Sequence, residues 1–296
     1  PQLIILDEPT TALDVTTQSL VLNIIRQLCQ EYQVAAIYVS HDLTVVKDIA
    51  HRVIVLYSGR IAEDAWLENL FEQPRHPYSF GLIQAIPDVA EKRQLNPIQG
   101  HAPSPNQRSS GCAFSDRCAH STSKCRTARP RLTSVEDADH LHFIACHHPN
   151  WYLDAAPVHA ADILNDIVLH TQDNVLRTAG INAWYGQYQV LFDVSLQIQR
   201  GECLALVGES GSGKTTLSSA LLGYTRHGAK IISGQVILNG QDILKLSDQQ
   251  IRQIRGHRVA HVAQDPGTAL NPALKIGQQF DELLDVHQPE QTKANH

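Results

Sequence analysis

Gly208-Glu209-Ser210-Gly211-Ser212-Gly213-Lys214-Thr215 follows the apolar run Glu202 to Val207 and opens a helical pattern that begins at Lys214. This is the G-x4-G-K-T phosphate-loop pattern in its required setting, between a buried strand and a helix. The glycines let consecutive backbone N–H groups turn inward toward an anion, and a helix N-terminus adds the positive end of its dipole. Lys214 is expected to reach the phosphates, the Thr215 hydroxyl to take a place on Mg2+, and Thr216 to lie beside it. An accidental Gly/Ser-rich loop would lack both flanks. The stretch therefore sets the fold class as α/β.

Around this loop the chain divides into three. Residues 1–85 alternate short β-branched runs with helical spacing: Leu3 to Leu6 and Val34 to Val39 read as buried strands. Leu20, Ile24 and Leu28, with Val21 and Ile25, read as the core face of a helix between them. Val53 to Tyr57, Ser58-Gly59 and Arg60 to Glu63 read as a hairpin. Residues 86–170 lose periodicity and accumulate Pro, Ser, His and Cys, as a loop-rich insert does. Residues 171–296 return to strands at Val175 to Ala183 and Val190 to Ile198, ahead of the phosphate loop.

The 296 residues allow about two domains, and 24 Lys+Arg against 30 Asp+Glu give a net charge of −6. No basic run could track a nucleic-acid backbone, so DNA and RNA are not expected partners. The longest apolar runs fall far short of the ~20 residues of a membrane-spanning helix. The chain contains no Met and opens on Pro-Gln-Leu-Ile-Ile-Leu, which reads as strand interior, so its true N-terminus is expected to lie upstream.

Asp7 and Glu8 end the first apolar strand, where α/β sheets gather ligands. Two adjacent carboxylates divide their work: in a phosphate-loop ATPase Asp7 holds the Mg2+ shell and Glu8 polarises the attacking water. A lone Asp-Glu after a strand is more often a solvated turn, and the residues that follow decide. Asp7-Glu-Pro-Thr-Thr-Ala-Leu-Asp14, then Ser40-His41-Asp42 after the next strand, resembles the Walker B, D-loop and switch-histidine series of ABC ATPases. The resemblance implies Glu8 as general base, Asp14 in the loop coupling two ATP sites, and His41 as sensor of the γ-phosphate. It also implies that Tyr185, before Gly186, stacks on adenine, with Tyr188 as the alternative, and that Gln264 touches Mg2+ and the attacking water. Gln264-Asp-Pro-Gly-Thr-Ala-Leu-Asn-Pro272 is similar to the oligopeptide and dipeptide importer branch.

Cys112, Cys118, Cys125 and Cys146 do not match common zinc knuckles. In a reducing compartment four clustered thiols suggest a metal or cluster rather than disulfides. With His76-Pro77-Tyr78 they resemble the C-terminal extension of the oligopeptide and dipeptide importer ATPases, whose members can carry a 4Fe-4S cluster on these four positions. Zinc, favoured by the neighbouring His147 and His148, and free thiols stay open. Cys29 and Cys203 read as buried small hydrophobes.

An intact ABC domain runs aromatic, phosphate loop, Q-loop, signature, Walker B, D-loop, switch His. Here the last three come first, and no LSGGQ-like signature occurs; Ile232-Ser233-Gly234-Gln235 is only an echo of one. The resemblance therefore implies the C-terminal half of one ATPase domain (1–85), an extension (86–170) and the N-terminal half of a second (171–296). The fold implied is that of ABC ATPase half-domains, with a parallel core sheet and an antiparallel β subdomain. The two halves hold complementary strands of one sheet and are expected to dock, because open strand edges are costly. The function implied is ATP-powered import of peptides or similar solutes at the cytoplasmic face of the cell membrane. Permease subunits, an upstream substrate-binding protein and a second ATPase domain, on the same or another chain, are the partners, and weak or no turnover is expected of this stretch alone. An ABC ATPase acting on nucleic acid or ribosomes is the alternative, and a non-enzymatic metal-binding module is a further one.

Overall fold

The computed structural model describes residues 1–11, 13–86, 98–104, 107–135, 141–151, 174–225, 228–263, 271, 274–279 and 281. Eight strands form the main sheet. From the first part of the chain come β1 (Leu3–Asp7), β2 (Ala35–Ser40), β3 (Arg52–Tyr57) and β4 (Arg60–Trp66), then β5 (Thr133–Ser134) and β6 (His142–Ile144). Of the strands that follow, β7 (Asn174–Tyr185), β8 (Tyr188–Val194), β9 (Gln197–Gln199), β11 (Ala229–Leu238) and β12 (Gln241–Asp242) form a second, antiparallel sheet. The remaining two, β10 (Cys203–Val207) and β13 (Val259–Val262), return to the first sheet.

The order in the main sheet is β13-β1-β2-β10-β3-β4-β6-β5. Strand β10 thus inserts between β2 and β3, and β13 closes on β1, all in parallel register. The two ends of the chain therefore dock as expected, through a shared sheet. β2 and β10 are buried along their whole length, as central parallel strands covered on both faces should be. The antiparallel strands β4, β6 and β5 extend the far edge, so part of the loop-rich insert joins the sheet.

A buried ionic network crosses the same junction. Arg52 donates to both carboxylate oxygens of Asp64 at 2.7 Å and to the Gln197 carbonyl at 2.9 Å, with Glu202 at 3.4 Å. Four residues from β3, β4 and the β9–β10 region satisfy each other where a single one left alone would be costly.

Helix α1 (Val15–Tyr32) starts on Asp14, whose carboxylate accepts from the Thr16 and Thr17 N–H groups, and ends on Gln33 in the left-handed region (φ 52°). It buries Leu22, Ile25 and Cys29 against Leu6, Ala36, Tyr38, Val45 and Ile49. Of the core face expected, Ile25 is buried and Val21 packs against this cluster, while Leu20, Ile24 and Leu28 are exposed. The apolar set of this helix covers a wide arc, and the packing of Leu22, Ile25 and Cys29 selects the part that turns inward. The expected strand Val190 to Ile198 is also interrupted: β8 ends at Val194 after Asp193 takes φ 53°.

Candidate nucleotide-binding site

Register brings three strand ends to one edge. Asp7 lies opposite Val39, and the next residue of that strand, Ser40, lies opposite Val207, so Glu8, His41 and Gly208 follow directly after Asp7, Ser40 and Val207. This is the carboxyl edge of a parallel sheet, where ligands of α/β proteins bind.

The phosphate loop runs from β10 into helix α6 (Lys214–Leu221). Gly208 (φ 152°) passes so close to β3 that a Cβ would sit 2.2 Å from the Leu56 carbonyl oxygen, and Gly213 (φ 102°) caps α6 in a conformation that favours glycine. Lys214 is buried, and its Nζ donates to the carbonyls of Gly208 (2.9 Å) and Glu209 (3.2 Å). Burial lowers its pKa, opposed by the carboxylates of Glu8, Asp7 and Glu209. The loop lysine from one end of the chain and the acidic pair from the other thus share one electrostatic environment. Thr215 and Thr216 are half-buried in the first turn of α6.

Glu8 adopts φ 51°, and its N–H donates to the Val39 carbonyl at 2.9 Å. Its Oε1 meets His41 Nδ1 at 3.0 Å, and Thr11 Oγ1 donates to its Oε2 at 3.3 Å. Asp7, one residue earlier, is almost fully buried while the His41 ring is 59% exposed. The two carboxylates therefore occupy different environments, one inside the sheet edge and one at its mouth. Asp14, expected in a coupling loop, serves here as the cap of α1: Thr17 Oγ1 also donates to it at 2.6 Å, and that hydrogen bond leads the set holding its carboxyl below the usual range.

Tyr185, at the end of β7, lines a cavity with Thr215, Thr216, Ser219, Tyr224 and Lys230. Tyr188 does not line it; its hydroxyl accepts from Gln187 at 3.0 Å. Tyr224 is a second exposed aromatic on this cavity that no motif spacing marked. Gln264 lies outside the described residues. A lysine at a helix N-terminus, two threonines in the same first turn and a buried aspartate at the same sheet edge fit a phosphate chain with Mg2+.

The four cysteines of the insert come together on one cavity with His76, Phe114, Ser115, His120, His147 and His148. Burial raises the thiols of Cys112 and Cys118 and pushes Cys146 up to about 12. The Cys112 N–H donates to the Cys125 carbonyl at 2.7 Å, so two segments cross tightly here. Among the described residues, no three His, Cys, Asp or Glu side chains stand close enough to hold a metal ion. All four cysteines are free, Cys125 buried and the other three partly so. Sequence reasoning missed one residue of this segment altogether: Arg117 reaches the phosphate loop, with its Nη1 and Nη2 at 2.9 and 3.0 Å from the Glu209 carboxylate.

Two families match the chain. Residues 63–125 match the oligopeptide/dipeptide transporter C-terminal region, and residues 191–295 match the ABC transporter family. Among curated relatives, an oligopeptide transport ATP-binding protein (OppD) of Mycobacterium bovis is 32% identical over 97% of this chain and 48% of its own length. A glutathione import ATP-binding protein (GsiA) of Escherichia coli is 31% identical over 97% of this chain and 39% of its own. An oligopeptide transport ATP-binding protein (AppD) of Bacillus subtilis is 45% identical over 45% of this chain and 40% of its own. The chain spans about half the length, or less, of these relatives. Among its described residues no helix is long and apolar enough to cross a membrane.

Proposed function

We propose that this chain is part of an ATP-binding and ATP-hydrolysing subunit that powers import of peptides or similar small solutes across the cytoplasmic membrane. The observation that carries the reading is the strand register that ends β1 at Asp7-Glu8 and β10 at the loop of Lys214 on one sheet edge. Lys214 and the loop N–H groups hold the phosphates, and Tyr185 offers its ring to adenine. Thr215 and Asp7, with Gln264, hold Mg2+, which screens the phosphate charge. Glu8 takes the proton of the attacking water, and His41 contacts the γ-phosphate.

The inverted motif order, and alignment over nearly all of this chain but under half of its relatives, support placing it in the middle of a polypeptide with two ATPase domains. Permease subunits, an upstream substrate-binding protein and a second ATPase domain are then its partners, at the cytoplasmic face of the membrane. The glutathione and oligopeptide roles of the relatives favour small peptides as the solute class. For the insert we propose a 4Fe-4S cluster on Cys112, Cys118, Cys125 and Cys146; the four thiols share one cavity, but no three of the described donors stand within metal-holding range, so zinc and free thiols remain the alternatives.

The test is a titration of the purified chain with Mg-ATP beside Lys214→Ala. Saturable binding that disappears in the variant supports the site. Equal binding by both forms overturns it.

A further inference from the structure

Glu209 is the first side chain of the phosphate loop, and it is held at both ends by residues outside the loop. Its N–H donates to the hydroxyl of Tyr78 at 2.9 Å, and its carboxylate takes the two-pronged contact from Arg117. Tyr78 belongs to helix α4 (Pro77–Gln84), which starts on His76. Arg117 directly precedes Cys118, and the Arg117 side chain is 8% exposed against 29% for Glu209.

Neither partner is free to drift. The Arg117 guanidinium also donates to the carbonyls of Gln99 (2.9 Å) and Gly100 (3.2 Å) and to the Tyr57 hydroxyl (3.2 Å). Phe114, two residues after Cys112, packs its ring on Tyr57 and Tyr78 with centroids 5.3 and 5.4 Å apart, and those two tyrosines meet at 4.6 Å. Three aromatic rings from β3, α4 and the cysteine segment thus form the platform on which the Arg117–Glu209 pair sits.

The pair has an electrostatic consequence. A carboxylate in a loop built to take polyphosphate repels its ligand, and in a partly desolvated site such repulsion falls off slowly. A bidentate guanidinium cancels the charge and fixes the carboxylate geometry at once.

Resting on the nucleotide-site reading above, we propose that Arg117 and Tyr78 are positioning residues of the phosphate loop, through which the cysteine segment governs how well the loop accepts a nucleotide. The segment neutralises Glu209 and ties down its backbone. A disturbance of the thiol cavity one residue from Arg117 is transmitted to the loop along this contact.

The experiment is a binding cycle on the full chain with Mg-ADP as probe, on variants checked for folding by circular dichroism. Arg117→Ala should raise Kd about ten-fold or more, because it leaves Glu209 charged and unpaired beside the phosphates. Adding Glu209→Gln should restore Kd to within about three-fold of the parent, as expected for two directly coupled residues. Arg117→Lys, which keeps the charge but loses the fork, should fall between and serves if the alanine variant does not fold. By reciprocity, Mg-ADP should slow alkylation of Cys118 in the parent and not in Arg117→Ala.

Unchanged affinity in both Arg117 variants overturns the proposal. So does weakened affinity that Glu209→Gln fails to restore, because that is the signature of lost folding rather than lost neutralisation. If the parent itself shows no binding that depends on Lys214, the nucleotide-site reading fails and this inference falls with it.

Discussion

His41 Nδ1 stands 3.0 Å from Glu8 Oε1, although the two residues lie on different strands and 33 positions apart. A carboxylate only accepts, so Nδ1 carries the proton and the neutral ring is left with Nε2 as an acceptor. Phosphate oxygens accept as well. One ring can serve Glu8 and a phosphate together only as the imidazolium, with both nitrogens donating. The contact therefore links the proposed base to the proposed sensor.

Glu8→Gln removes the base while keeping the side chain's shape. In the complete protein, hydrolysis should fall roughly 10²- to 10⁴-fold, the usual contribution of a positioned general base, while Mg-ATP binding persists. His41→Ala should also lose hydrolysis with binding retained. Phosphate release measured beside nucleotide titration separates the two effects. Full hydrolysis by Glu8→Gln would assign the base elsewhere.

The shared sheet predicts that the two ends of the chain unfold together. Leu206 is 1% exposed at the centre of β10, between strands contributed by residues 35–40 and 52–57. Leu206→Ala should cost about 2–5 kcal/mol, the usual range for a buried leucine truncation. Denaturant curves read by tryptophan fluorescence, to which Trp66 and Trp184 contribute from the two sheets together with Trp151, and by far-UV circular dichroism should shift as one transition. Two separated transitions, with only one moved, would mean that β10 does not share its core with β2 and β3.

Much of this was legible locally, and what was not has identifiable physical reasons. The glycine pattern around Lys214, the strand ending in Asp7-Glu8 and the strand ending at His41 each announce themselves through apolar runs and short-range spacing. A buried run such as Cys203 to Val207 announces burial on both faces but not its neighbours. Its place between β2 and β3 follows only once the expectation of docking is joined to the observed register. On the first helix Ile25 and Val21 turn inward as their spacing implies, while Leu20, Ile24 and Leu28 do not, because Leu22, Ile25 and Cys29 make an inward stripe at the same period. Arg117 and Glu209 are 92 positions apart, and nothing periodic relates them. Contacts of that kind depend on tertiary approach, and the sequence carries no local mark of them.

Of the two tyrosines that the sequence offers to adenine, the structure favours Tyr185 by its cavity. Tyr185→Ala should weaken Mg-ATP binding about five- to one-hundred-fold, within the range of base–aromatic stacking energies. Tyr188→Ala should change it little, and Tyr185→Phe should bind as the parent does because only the ring face is used. The comparison with inorganic tripolyphosphate is the control: it lacks a base, so its affinity should ignore Tyr185. If Tyr188→Ala carries the loss instead, the cavity beside Thr215 and Thr216 is not the base site.

Acid sensitivity should trace to two buried histidines. Burial holds the His76 imidazole down to about 4, with Glu63 opposing, and burial followed by the nearby Arg26 holds His51 down to about 4; both have ordinary values of 6.5. In the folded chain His76 Nδ1 accepts from the Tyr78 N–H at 3.0 Å, and His51 Nδ1 accepts from the Cys203 N–H at 2.7 Å, so each must stay unprotonated at that atom. Between pH 6.5 and 4 the unfolded chain therefore binds protons that the folded chain does not. Stability is full above this window and declines as pH falls through it, by about 1.4 kcal/mol per pH unit for each histidine. His76→Asn keeps an acceptor for the helix cap and cannot titrate. Urea midpoints taken across the window should then show a slope reduced by about one histidine's share, and an unchanged slope would place the acid-labile group elsewhere.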